Sequence, residues 1–467
     1  MASIWGAEFE VESTQSKAQR IKSKMDNPKK VKKTKEVSIK SKKLTLDDKL
    51  EIIRENVEKY LSVYKESTIV LKSKAELEDY INRSIENGII AIDTETNNSL
   101  DPLTCKIMGA CIYTPGLKNA YIPINHVDKD TRVRFDWQVT EEELKEQFDR
   151  LKDTKILMHN GKFDFKVIKL TCDCDLDIYW DSMVAARILD ENEHSAGLKQ
   201  QYIDKIDPSI EKYSIDKLFN EIEYAVVDPE LFALYAATDA YMTYRLYEYQ
   251  YNEFTKPGNE RLLKLLTDIE FPIIKISAGM EMRGIALDTE YCKRLSAKYH
   301  RELDIIEQEI ADELNKIKPL IDDWRLTEKA NLCYYQLKGD KTINFVRPEE
   351  EEGIRQKYGK QVLRKPMSMQ LEDPPSTKSP TQLSILLYDI LRVKSVDKSN
   401  PRGTGEEILK QIDLPICKLI LKQRTTLKML DAFIDSLPQK LSTRDNRIHS
   451  NFKQLGTDTG RFSCTEP

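Results

Sequence analysis

Three groups of side chains in this sequence could do chemistry together. Asp93 and Glu95, separated by Thr94, directly follow the apolar run Ile89-Ile-Ala-Ile92. If that run is a strand, residues two apart project to one side, so both carboxylates leave its C-terminal end together. Two carboxylates held close repel each other, and burying them costs more unless a cation sits between them. A hard divalent ion with oxygen ligands meets that need. With 78 acids in 467 residues the triplet alone carries little weight, and two solvated acids opening a turn is the competing reading. Asp164 ends the stretch Leu157-Met-His-Asn160-Gly-Lys-Phe-Asp164, a strand end, an Asn-Gly turn and the first turn of a helix, where an acid also suits the helix dipole. Tyr235 and Asp239 stand at i and i+4 on a helix and share a face, a spacing equally usual in plain packed helices.

These groups need elements to hold them. Thr45-Leu-Asp-Asp opens a helix to about residue 64, with Leu50, Ile53, Val57 and Leu61 at helical spacing. From Ser67 the pattern alternates. It reads as strands over 68–71, 89–92, 106–114, 120–124 and 155–158, helices over 75–84 and 140–151, then helices to 251. That is an α/β layer architecture. Lys256-Pro-Gly-Asn reads as a boundary. Beyond it the pattern is nearly all helical. Leu295, Tyr299, Leu303, Ile306, Ile310, Leu314 and Ile317 form the stripe of one long amphipathic helix. Residues 338–378 have few apolar anchors and read as loop-rich; Ser379-Pro380 reads as an N-cap with proline at the first helical position.

Composition bounds the rest. A chain of 467 residues is too long for one ordinary domain, and two or three are expected. No run approaches the roughly 18 apolar residues of a membrane helix. Met1-Ala-Ser-Ile-Trp5 lacks the apolar core of a secretory signal. Eight cysteines are sparse, and Cys172-x-Cys174 lacks the paired spacing of a zinc site. A reducing, cytoplasmic setting without membrane or disulfide framework is expected. The net charge of −5 hides an asymmetry: between Lys17 and Lys43 twelve Lys/Arg face only Asp26 and Glu36. Such an arm is attracted to phosphate, or is simply solvated.

D-x-E after a strand, N-x-x-x-D at a strand–helix junction and Y-x-x-x-D on a helix, in this order, resemble the DEDDy 3′–5′ exonuclease superfamily. The resemblance is to the proofreading domain of family A DNA polymerases, the DNA polymerase I type. Trp180-Asp-Ser-Met-Val-Ala-Ala-Arg-Ile-Leu189 is similar to a D-T-M-x-x-x-x-x-L helix there, whereas residues 97–101 are one residue longer than the family loop. The resemblance implies an α/β, RNase H-like fold in which Asp93, Glu95, Asp164 and Asp239 hold two divalent ions, Mg²⁺ or Mn²⁺. The ions would clamp the attacking and leaving oxygens of an in-line hydrolysis. It further implies that Tyr235 orients the attacking water. Thr96 and Leu100 would contact the terminal nucleotide, and Asn160 would support it or the Asp164 loop.

Past the boundary the order continues. Asp268-Ile-Glu-Phe-Pro272, Met280-Glu-Met-Arg-Gly284-Ile-Ala-Leu-Asp288, Ser379-Pro-Thr-Gln-Leu383 and Thr459-Gly-Arg461-Phe-Ser463 are similar to the opening and thumb of family A polymerases. The resemblance implies a mostly α-helical thumb, with Arg461 at the duplex minor groove and Lys453 and Gln454 on the strand backbone. In the family, palm aspartates and a fingers helix follow T-G-R-x-S, so these 467 residues are not expected to synthesise DNA alone. The expected partners are DNA and a second chain carrying palm and fingers, as in a split, phage-like polymerase. The expected division is a basic arm over 1–45, a helical linker over 46–66, the exonuclease over 67–256 and the thumb over 257–467. Two readings compete with proofreading: a stand-alone nuclease of DNA or RNA, like RNase D, and a non-catalytic platform for the palm–fingers chain.

Overall fold

The computed structural model describes residues 44–99, 101–190, 196–209, 222–327, 332–339, 344–368, 371–457 and 459–465. The basic arm up to residue 43, and Leu100, lie outside them. Contacts divide the chain into a unit over 1–52 and a compact unit over 53–467. Helix α1 (Leu46–Leu61) starts where Thr45 and Asp48 exchange hydrogen bonds of 2.9 and 3.2 Å, a reciprocal cap. Its later turns bury Ile53, Val57 and Leu61.

Next comes a six-stranded sheet with helices: β1 (Thr68–Val70), α2 (Lys74–Asn87), β2 (Ile89–Thr96), β3 (Ile107–Tyr113), β4 (Asn119–Pro123), α3 (Glu141–Phe148), β5 (Lys155–Met158), α4 (Gly161–Cys172), β6 (Ile178–Asp181), α5 (Ser182–Leu189), α6 (Leu198–Lys205) and α7 (Pro229–Phe254). The strand order is β1-β4-β3-β2-β5-β6. β2 pairs antiparallel with β3 and parallel with β5, and β5 is parallel to β6. The architecture is therefore mixed α/β. Ile90, Ala91 and Ile92 have no exposed surface, as a central strand covered on both faces requires. The four-residue β6 was not anticipated: its only apolar signal is Ile178-Tyr-Trp180, too short to separate from the helix that follows.

Beyond 257 the chain is largely helical, with α8 (Phe271–Arg283), α9 (Thr289–Lys316) and α10 (Pro415–Met429) as main elements. The stripe expected over 295–317 lies on α9 except for Ile317, which caps its end; α9 buries Leu303, Ile310 and Leu314 and packs on α10. Ser379 accepts from the Gln382 amide and caps the helix Pro380–Ile385, as its Ser-Pro start implied. The loop-rich expectation for 338–378 is corrected. Strands Cys333–Leu337, Asn344–Val346 and Val362–Ser368 form a small antiparallel sheet, with the helix Glu351–Tyr358 between the second and third. Tyr335 stacks on Tyr358 at 5.9 Å, so two aromatic rings supply an anchor that aliphatic counting overlooks.

Candidate active site

The C-terminal half of β2 carries Asp93 and Glu95, both half-buried and on one side of the strand, with Thr94 buried between them. Cys111 is the partner of Asp93 on β3. The Asp93 and Glu95 oxygens and the Cys111 sulfur lie within 4.8 Å of one another. Burial holds the Cys111 thiol well above its ordinary pKa, so it stays protonated beside the acids.

Asp164 reaches this strand from α4 and is 3% exposed. Its Oδ1 accepts from the Thr94 amide at 2.9 Å and the Thr94 hydroxyl at 2.6 Å. The turn before it is specialised. Asn160 takes the left-handed conformation (φ 58°), and a Cβ on Gly161 would stand 2.6 Å from the Met158 Cβ, so glycine is required there. Asp181, 1% exposed, joins two helix starts: Oδ2 accepts from Gly161 N at 2.7 Å, while Oδ1 accepts from Met183 N and Val184 N.

Tyr235 and Asp239 lie one turn apart on α7, as their spacing implied. Between them stands Lys199 of α6, its Nζ 3.1 Å from Asp239 Oδ2 and 3.8 Å from the centre of the Tyr235 ring. The other Asp239 oxygen, Oδ1, is buried and has no hydrogen-bond partner among the described residues. Asp164 and Asp239 are outside the tightest group, yet all four acids share one field. Burial first, then Asp164, Glu95 and Asp239, raise the Asp93 carboxyl well above its usual range. Burial and Asp239 lift Glu95 to about 8. Burial lifts Asp164 to about 7 against the Thr94 hydrogen bonds, and Asp239 rises also. Burial opposes the Lys199 charge, but Asp239 and Tyr235 outweigh it and hold the ammonium above its ordinary value.

Four crowded carboxylates, with an orphaned buried oxygen on one, fit a hard cation; the protonated, soft thiol of Cys111 does not. A consequence concerns stability. In an unfolded chain these acids ionise near about pH 4. Folding raises their pKa values, so the folded chain binds more protons, and its stability is fullest below that range and is lost as pH rises through about 7 to about 8. In chelator, the unfolding temperature should therefore fall between about pH 5 and about pH 9, and excess Mg²⁺ should remove most of that fall. A flat profile in chelator, insensitive to Mg²⁺, would contradict the electrostatics described.

The remaining sequence-expected residues scatter. Thr96 is buried and donates its hydroxyl to Ser99 O at 2.7 Å. Asn160 is exposed at the start of α4, and Leu100 is outside the described residues. Lys453 and Arg461 are exposed, on and beside the hairpin Asn451–Lys453 with Ser463–Thr465. The Gln454 amide is occupied by Glu270, donating to its backbone O at 3.0 Å and Oε2 at 2.7 Å. Sequence reasoning missed Lys199, one of 73 basic residues in no recognisable motif. It also passed over Thr94, whose placement inside D-T-E was a usable signal.

Residues 68–253 match the 3′–5′ exonuclease family, and residues 355–467 match DNA polymerase family A. The chain is 27% identical over 435 residues to the DNA polymerase I of Borreliella burgdorferi, covering 91% of this chain and 38% of that protein. To the DNA polymerase I of Chloroflexus aurantiacus it is 27% identical over 410 residues, 85% of this chain and 36% of the relative. The chain thus spans well under half the length of these relatives. Among solved structures, the POL domain of Pol1 from M. smegmatis in complex with DNA primer-template and dNTP superposes with a TM-score of 0.53 at 17% identity. That match covers 86% of this chain and 55% of that one, a likeness of fold.

Proposed function

On the premise that residues 68–253 are a 3′–5′ exonuclease domain and residues 355–467 part of a DNA polymerase family A domain, we propose that this chain removes 3′-terminal nucleotides from DNA as the proofreading part of such a polymerase. The observation that carries this reading is the close pair Asp93 and Glu95, whose field Asp164 and Asp239 share, with Asp164 held by Thr94 and Asp239 Oδ1 buried and orphaned among the described residues. The sheet order and the carboxylate set fit the RNase H-like DEDDy arrangement. Asp93, Glu95, Asp164 and Asp239 would hold the metal, Asp164 through Oδ2 because Thr94 occupies Oδ1. Two divalent ions, when bound, would supply an activated water near neutral pH and charge neutralisation at the departing 3′ oxygen.

The protein's own contributions are positional. Tyr235, buried beside Lys199, would offer its hydroxyl to orient the attacking water. Lys199 fixes both the Tyr235 ring and the Asp239 carboxylate, so Lys199→Met should cut kcat by on the order of 10-fold with KM for a single-stranded oligonucleotide little changed. An unchanged kcat would show that neither side chain depends on it. Thr96, Leu100 and Asn160 would meet the terminal nucleotide. Lys453 and Arg461 would meet DNA phosphates or the minor groove, and Gln454, tied to Glu270, would steady their hairpin.

DNA is the proposed substrate. The polymerase-family stretch 355–467 favours it over a stand-alone RNase D-like role. A partner segment carrying palm and fingers, covalently continuous or separate, would cover apolar side chains such as Phe433 and Phe462, each 49% exposed. All eight cysteines are free, in keeping with a cytoplasmic setting, and no described helix is long and apolar enough to cross a membrane. The test is a primer–template with a mispaired 3′ end, Mg²⁺ and no nucleotides. Stepwise loss of the 3′ end is expected; an intact end in Mg²⁺ and Mn²⁺ alike would leave the platform reading.

A further inference from the structure

The helix that presents Asp164 is gripped on its other side by an acid from outside the exonuclease-family stretch. Lys162 and Lys166 precede and follow Asp164 by two residues, about 200° round the helix from it. Both converge on Glu281 of α8: Lys162 Nζ is 2.7 Å from Oε1 and Lys166 Nζ 2.5 Å from Oε2. The Phe452 amide donates to Oε1 as well, at 2.7 Å, and Lys162 continues to the Phe452 carbonyl. Side-chain exposure is 3% for Glu281, 8% for Lys166 and 16% for Lys162. Two ammonium groups therefore share one carboxylate almost without water, and removing its charge would leave both uncompensated.

The surrounding motif has a physical reason. Glu281 and Gly284 belong to Met280-Glu-Met-Arg-Gly284. Gly284 has φ 64°, and a Cβ there would stand 2.7 Å from the His449 ring and 2.9 Å from Ile448 O. His449 Nδ1 donates to Glu281 O at 2.7 Å, and residues 447–448 pair with 285–286. The glycine permits a close crossing, and the crossing seals the acid.

We infer that Glu281 is a positioning residue for the nuclease site. It fixes α4 from outside, so that Asp164, held inside by Thr94, stays where Asp93 and Glu95 can share a cation with it. The inference rests on the exonuclease reading. Misplacing a catalytic group by a fraction of an ångström is costly, which sets the scale of the effect.

Glu281→Gln keeps the shape and an acceptor for the Phe452 amide but removes the charge. It should lower kcat on a single-stranded oligonucleotide by on the order of 10-fold, leave KM unchanged, and weaken Mn²⁺ binding severalfold by titration calorimetry. Glu281→Asp, which retains the charge at shorter reach, should show intermediate losses. Ile420→Ala, buried on α10 in a different hydrophobic cluster from that of α4, controls for destabilisation and should keep both parameters while folded. The inference is overturned if folded Glu281→Gln retains the kcat and Mn²⁺ affinity of the unaltered chain, or if Ile420→Ala loses as much. Should Glu281→Gln not fold, Glu281→Asp decides: intermediate losses support the inference and unaltered values overturn it. Should the unaltered chain hydrolyse nothing, the exonuclease reading has failed, and the Mn²⁺ affinities alone decide.

Discussion

Asp93→Asn should lower 3′-end hydrolysis by on the order of 10³-fold or more, with little change in single-strand affinity. Asp93 sits where the fields of Glu95, Asp164 and Asp239 overlap, so it is the acid best placed to share a cation with the others. Asparagine preserves its volume and one oxygen but not its charge. A second readout separates this effect from misfolding. In chelator the substitution removes one member of a repelling set, so the unfolding temperature should rise, most clearly at high pH. Loss of activity together with gained metal-free stability is a pairing that general damage does not produce. Activity above about one tenth of the unaltered chain would deny Asp93 a place among the ligands.

Trp180→Ala should destabilise the chain by about 3–5 kcal/mol, the range for removing a buried large aromatic. Trp180 is 1% exposed and meets four rings edge-on: Tyr247 at 5.3 Å, Tyr251 at 6.0 Å and Phe254 at 5.7 Å from α7, and Phe271 at 5.3 Å from α8. Its Nε1 donates to Gln250 Oε1 at 3.0 Å, so truncation leaves a buried amide short of a partner as well as a cavity. One side chain thus joins the sheet's last strand, the helix of Tyr235 and Asp239, and the helix of Glu281. The measurement is the urea midpoint at unchanged m-value. A loss under about 1 kcal/mol would mean that the rings repack without it.

Part of the candidate site was legible because its signals are local. D-T-E follows a continuous apolar run, and a strand's period of two then dictates that Asp93 and Glu95 share a side. Helical spacing puts Tyr235 and Asp239 on one face and the Asn-Gly turn precedes Asp164, but it was the family resemblance that joined them to Asp93 and Glu95. What pairs across long separations was not legible. Lys199 meets Asp239 only because α6 packs on α7, and Glu281 meets Lys162 across 119 residues. The small sheet over 333–368 lacks an aliphatic stripe, and the stacked pair Tyr335 and Tyr358 is a contact that such a count does not see. Asp181 caps two helices, a task set by where β6 ends and invisible in the linear pattern around it.

The most direct measurement is anomalous scattering from crystals of the chain soaked with Mn²⁺ and a short single-stranded oligonucleotide. Two peaks about 3.5–4 Å apart, ligated by Asp93, Glu95, Asp164 and Asp239, are the expected result. No peak among those carboxylates, or a lone ion at Asp93 and Glu95 with Asp164 Oδ2 and Asp239 unligated, would contradict two-metal hydrolysis by this chain.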